Sequence, residues 1–148
     1  MPRFMMIVVA NAVTEAEAVP GSEAAGTTGR DILEKMGKYN EELMAAGILV
    51  SAEGLQPTSK GYRLTYSATN PPAVTQGPFD VTKQGTISGY WFLKADNVEI
   101  VLDWARKIPF SEGQVEVRRV AEPEDFGDAL SPELKEKEKA WREQLEKK

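Results

Sequence analysis

Phe4-Met5-Met6-Ile7-Val8-Val9-Ala10 is apolar at every position, so a strand here has no polar side to turn to water. The run is short and rich in β-branched residues, which favours a strand over a helix, and such a strand must be covered on both faces. Ile87 to Lys94 repeats the constraint: Trp91 and Leu93 face one way, Tyr90 and Phe92 the other. A sheet with two such strands needs helices on one face and a further segment or subunit on the second.

The remaining pattern supplies those helices. Thr28-Gly29-Arg30-Asp31 has capping-box spacing, and Ile32, Met36, Tyr39, Leu43 and Ala46 follow at helical intervals up to Gly47. Asp96-Asn97-Val98-Glu99 caps a second helix with Val98, Val101, Leu102 and Ala105 on its apolar stripe, ended by Pro109. Ile48 to Leu55 reads as a strand and Gln56 to Gly61 as a turn; Tyr62 to Tyr66 is expected to return as its hairpin partner. Thr69-Asn70-Pro71-Pro72 breaks the chain, Gln76 to Phe79 forms a second turn, and Gln114 to Val120 is a last strand. Asn11 to Gly26, rich in Ala, Glu and Gly with Pro20-Gly21, reads as a loop and a candidate lid.

This order, β-α-β-(β)-β-α-β, is the α+β, ferredoxin-like split βαβ plan. The two-faced strands then predict a homodimer with sheets packed face to face. Residues 1–120 form the expected domain. Residues 121–148 form an acidic linker and a C-terminal surface helix, with Ser131-Pro132 as cap and Glu133/Lys137 and Glu138/Arg142 as i,i+4 pairs. Its apolar stripe is thin: Leu134, Trp141 and Leu145.

The chain contains no His and no Cys, which removes Ser-His-Asp and Cys-His catalysis, thiolate or imidazole metal sites and disulfides. Proton transfer falls to carboxylate, Tyr or Lys. A net charge of −5 has the wrong sign for neutralising phosphates, so nucleic acid is not expected as a partner. No apolar run nears the roughly 20 residues of a membrane span, and Met5 to Ala10 is too short for a secretion signal, so neither a membrane partner nor export is expected and the location is read as cytoplasmic. No phosphate loop, dinucleotide fingerprint or metal-ligand spacing is present, so no cofactor and no metal are expected.

Several segments are shared, in order, with a known family: Pro2-Arg3-Phe4-Met5, Met36 to Leu43, Ala46-Gly47 with Glu53-Gly54-Leu55-Gln56-Pro57, and Gly77-Pro78-Phe79 with Thr82-Lys83. Gly89-Tyr90-Trp91, Val115 to Arg118 and Glu124 to Leu130 continue the series. The chain resembles the YCII-related proteins of the DGPF type. That resemblance implies a dimeric α/β barrel of ferredoxin-like protomers, and cofactor-free chemistry on small cyclic or phenolic molecules, dehydrochlorination included, in a pocket between sheet and helices. The motif is altered where acids are usual: Gln76 replaces its Asp, Val81 and Gln84 stand at acidic positions, and Gln56 replaces a His.

Candidate site residues follow. Glu53, at a strand end beside Gly54, is a candidate acid or base if it points inward and an ordinary strand-end charge if outward. Lys83 is a candidate oxyanion stabiliser or a solvated lysine, and Tyr90 an orienting phenol. Gln76, Phe79 and Asp80 shape either a pocket mouth or a tight turn with Phe79 as core plug. Tyr66, Tyr90 and Trp91 offer aromatic surface for a ligand, or core and dimer interface. Arg118 either pairs with Glu116 or presents a guanidinium to a ligand. The expected function is a cofactor-independent small-molecule enzyme performing elimination, isomerisation or cyclisation of a hydrophobic oxygenated or phenolic substrate, in a setting such as secondary metabolism. The alternative is a non-catalytic binding or carrier protein using the same cleft, and a third reading gives the tail helix an interaction role.

Overall fold

The structure, a computed structural model, describes residues 1–16 and 27–147, with the backbone alone for 27–30. In chain order its elements are β1 (Arg3–Val9), α1 (Ala12–Glu15), α2 (Thr27–Ala45), β2 (Leu49–Gly54), a 3-10 turn (Thr58–Lys60), β3 (Tyr62–Thr65) and β4 (Ala73–Gln76). Then follow β5 (Ile87–Lys94), α3 (Val98–Arg106), β6 (Val115–Arg119), a 3-10 segment (Pro123–Ala129) and α4 (Pro132–Glu146). Four strands form an antiparallel sheet in the order β2-β5-β1-β6, compatible with the ferredoxin-like plan. No helix among the described residues is long and apolar enough to cross a membrane.

The core lies between one sheet face and the helices α2 and α3. Phe4 and Met6 of β1 stand opposite Leu93 and Trp91 of β5, and all four are buried against Tyr39 and Leu43 of α2 and Val101 of α3. The stripe expected on α2 is the buried one through Leu43; Ala46 falls past the helix and is exposed. Gly47 ends the helix with φ +73, a left-handed conformation that costs glycine nothing. α2 opens at Thr27, so Thr28 lies inside it and is not the cap. On α3, Asn97 caps by accepting from the Ile100 N–H at 3.1 Å, as expected, whereas Val98 is exposed and Ile100 and Trp104 join the core in its place.

Two further expectations, on the hairpin and the first loop, are corrected. β2 and β3 are not a hairpin: β3 pairs with β4, Tyr62 opposite Gln76 and Thr65 opposite Ala73, and among the described residues β2 pairs only with β5. Pro57 and the 3-10 turn redirect the chain away from β2, and the break at Thr69 to Pro72 is the loop that lets β4 come back. Gln76 accordingly ends a strand. The expected loop from Asn11 begins with helix α1, whose capping box sets the Asn11 side chain on the Thr14 N–H and the Thr14 hydroxyl on the Asn11 N–H. The rest of that loop, 17–26, and the proposed lid lie outside the described residues.

The second sheet face is met in part by the chain's own tail. Glu122 accepts two hydrogen bonds from Arg3 at 2.9 and 3.1 Å and one from Arg142 of α4 at 2.9 Å. Arg142, expected to pair with Glu138 along its helix, instead ties α4 back to the sheet. A groove of about 580 Å³ runs between Phe92 and Lys94 on one side and Trp141 and Leu145 on the other. Met5, Ile7 and Tyr90 remain half-buried.

Leu43→Ala is expected to cost about 2–5 kcal/mol in a urea titration, as cavity formation at a fully buried Leu does. The hydrogen bonds from Arg3, reinforced by Arg142 against the cost of burial, hold the Glu122 carboxyl below its ordinary value. Because the folded state lowers that pKa, the contribution is complete above the unfolded value and lost as pH falls through the folded one. Glu122→Gln should lower stability at pH 7 by about 1–2 kcal/mol and flatten its decline in acid, read by denaturation from pH 7 to 3.

Candidate functional site

A cleft of about 300 Å³ opens between the helix-facing side of the sheet and α2. Its floor is made by what is missing. Gly54 of β2 and Gly89 of β5 are register partners, and Val8 of β1 is the residue opposite Gly89 on the other side. Two glycines side by side leave that stretch of sheet without side chains. A Cβ on Gly89 would lie 2.8 Å from the Glu53 carbonyl oxygen, so the close approach there requires glycine. A Cβ on Gly54 would meet nothing within 4 Å, because it would project into the open cleft.

Trp91, 3% exposed, closes one end. Its ring packs edge-on against Tyr39 at 5.6 Å between centroids and lies 6.4 Å from Phe110. The indole N–H donates to Asn40 Oδ1 at 2.7 Å. Asn40 lies on α2 four residues after Met36, so a polar amide stands on the cleft side of that helix. Its Nδ2 donors have no acceptor among the described residues, which leaves an oriented N–H for a guest. The phenol of Tyr39 is spoken for, donating to the Trp104 carbonyl at 2.8 Å, and burial, with the nearby Glu42 charge, pushes its pKa up so that it stays a neutral donor.

The structure brings together three of the sequence candidates. Glu53, Tyr90 and Trp91 all border the cleft. Strand alternation sends their side chains different ways: Trp91 and its partner Ala52 face the helices, whereas Glu53 and its partner Tyr90 face the second side of the sheet. Arg118 is also on that second side, 3.9 Å from Glu116 and largely exposed, which is the pairing reading of that residue.

The other candidates gather elsewhere. Tyr66 lies in the loop between β3 and β4 and is 74% exposed. Lys83 is 81% exposed with its ammonium 3.8 Å from Asp80, and Asp80 caps its own turn by accepting from Thr82, which holds its pKa low. Phe79 does not plug the core; Arg63 covers its ring at 3.9 Å and reaches Gln84 with its guanidinium. The Gln76-to-Phe79 motif is a clasp. The Gly77–Pro78 peptide is cis, and a Cβ on Gly77 would overlap the Thr58 carbonyl oxygen at 1.8 Å. The Thr58 hydroxyl accepts from the Phe79 N–H at 3.0 Å and donates to the Glu15 carboxylate, which also accepts the Thr58 N–H at 3.1 Å. One threonine thus joins α1, beside the cleft, to the β3–β4 hairpin.

Asn40, Gly54 and Gly89 escaped the sequence reading. Their signals were present: a polar residue at helical spacing from Met36 and Leu43, and glycines inside strands. Among the described residues no three His, Cys, Asp or Glu side chains gather in a way that would hold a metal ion.

Thr58→Val removes the hydroxyl that serves both Glu15 and Phe79. Amide exchange at Phe79 should then accelerate by about tenfold, the loss of roughly one net hydrogen bond, while the buried amides of β1 and β5 keep their protection.

No curated protein matches this chain. The model of the YCII-related domain matches residues 5–124, which takes in β1 through the start of the second 3-10 segment. β1 from Met5 onward, the other three strands of the sheet, both core helices and the clasp fall inside that span, and the chain belongs to the YCII-related domain family.

Proposed function

We propose that this protein binds a small, largely apolar, oxygen-bearing molecule in the glycine-floored cleft, as a binding or carrier protein. The observation that carries this reading is Asn40: its amide oxygen is committed to Trp91 and its amide N–H groups are not committed. A ligand with a flat apolar body would lie over Gly54 and Gly89 against Trp91 and Met36, its carbonyl or phenolic oxygen accepting from Asn40 Nδ2. The described walls offer hydrogen bonds and apolar surface, and the charged candidates Lys83, Asp80 and Arg118 stand away from them.

A second reading, cofactor-free elimination, isomerisation or cyclisation, is favoured by one feature. Glu53 and Tyr90 are register partners whose side chains, a carboxylate and a phenol, stand together on the second side of the sheet, opposite the cleft. In a homodimer formed through the second sheet face, Met5, Ile7, Tyr90 and Phe92 of each copy would be covered beside Glu53.

Calorimetry with aryl ketones and phenols tests the first reading. A Cβ at Gly54 meets nothing, so Gly54→Val should obstruct the cleft floor and abolish binding with little change in melting temperature; Asn40→Ala should weaken it by about tenfold. Unchanged binding in Gly54→Val would contradict it. Glu53→Gln separates the two readings: turnover lost with affinity kept means chemistry, and no turnover in either protein means carriage.

A further inference from the structure

A second cavity of about 350 Å³ adjoins the first. Val8, Thr14 and Phe110 line both, so these three residues form the partition between them. We infer that the binding site is bipartite, taking an elongated ligand whose two apolar parts are joined by a narrow link passing beside Phe110, and that Phe110 limits the width of that link. This rests on the ligand-binding reading of the first cleft.

The second compartment is built from elements that the chain holds firmly. The register of β1 against β5 shifts between Val8 and Val9, with Ser88 of β5 as the extra residue, and both valines border the cavity. Val13 and Ile32 add apolar surface from α1 and α2. On the far side, Gly113, at φ +106, lets the α3–β6 loop come so close to Asn11 that a Cβ would stand 3.0 Å from its Nδ2. Asn11 is itself fixed as the cap of α1.

The Thr14 hydroxyl is already used within the cap, donating to the Asn11 carbonyl and accepting the Asn11 N–H, so Thr14 contributes packing and no free donor. Phe110 sits two residues past the buried Ile108, its N–H bonded to the Ile108 carbonyl at 2.8 Å, and its ring turns toward Trp91. Phe110, held at its base by a core anchor and 36% exposed, borders both cavities. The first compartment alone is at the bottom of the roughly 300–1,000 Å³ range of small-molecule sites, whereas the adjoining pair lies well within it.

Two probes test this: an aryl methyl ketone with one ring, and the same ketone carrying a second ring on a two-carbon tether. Their affinities are measured calorimetrically for the wild-type protein, Gly54→Val, Ile32→Trp, which fills the second compartment, and Phe110→Ala. The two-ring probe should bind the wild type at least tenfold tighter than the one-ring probe. Ile32→Trp should erase that gain and leave one-ring affinity unchanged, and Phe110→Ala should bind the two-ring ketone with a geminal dimethyl group on its tether, a third probe that the wild type binds at least tenfold more weakly. Should Ile32→Trp fail to fold, Val13→Trp at an exposed position serves the same purpose. If the one-ring probe binds and is lost in Gly54→Val, yet the second ring adds nothing or its gain survives Ile32→Trp, the bipartite site is overturned while the first cleft stands. If neither probe binds the wild type, the ligand-binding reading fails and this inference falls with it.

Discussion

Burying Trp91 without orphaning its indole N–H is the constraint on which the rest of the structure turns. An indole taken out of water needs an acceptor, since an unpaired buried donor costs about 1–3 kcal/mol. Asn40 supplies it, which forces a polar residue onto the core side of α2 and brings that helix down beside β5. Tyr39, one position earlier, packs against both Trp91 and Trp104 and anchors the same helix to α3 through the Trp104 carbonyl. The helix layer is thus set by aromatic packing with hydrogen bonds attached, and the cleft is the space left where the sheet beneath it is bare.

That space exists because the strands carry glycine where a side chain would otherwise fill the core. Gly89 is demanded by backbone approach, and Gly54 opposite it has room for a side chain it does not have. A cavity lined this way has no stabilising role in the folded chain; closing it would add apolar contact. Its retention beside an amide with spare donors is the physical basis for reading it as a ligand site.

Much of the fold was legible in the sequence because the strongest constraints were local. The two-faced strands, the α2 stripe and the Asn97 cap each needed only a few neighbouring residues to be seen. The β2–β3 hairpin was misread for the opposite reason: Pro71-Pro72 announces a turn, but which strand returns is decided by pairing energies across the sheet, and β5 takes the inner edge of β2. The site was legible by half. Trp91, Tyr90 and Glu53 were seen, but parity along the strands separates Trp91 from the other two. The Gln76 to Phe79 motif invited a chemical reading, whereas Gly77 is there to fit beneath the Thr58 carbonyl and Gln84 serves Arg63. Glu122, which ties the tail to β1, belongs to a contact between the chain's two ends and left no local signature.

The most direct test of the central claim is to follow the three Trp indole N–H resonances by NMR while titrating an aryl ketone. Trp91 borders the cleft, Trp104 packs behind it against Tyr39, and Trp141 sits on α4 across the sheet. A ligand that enters over the glycine floor shifts the Trp91 resonance, and leaves that of Trp141 in place. Movement of Trp141 alone, or saturation with Trp91 unmoved, would place any binding outside the cleft and contradict the account.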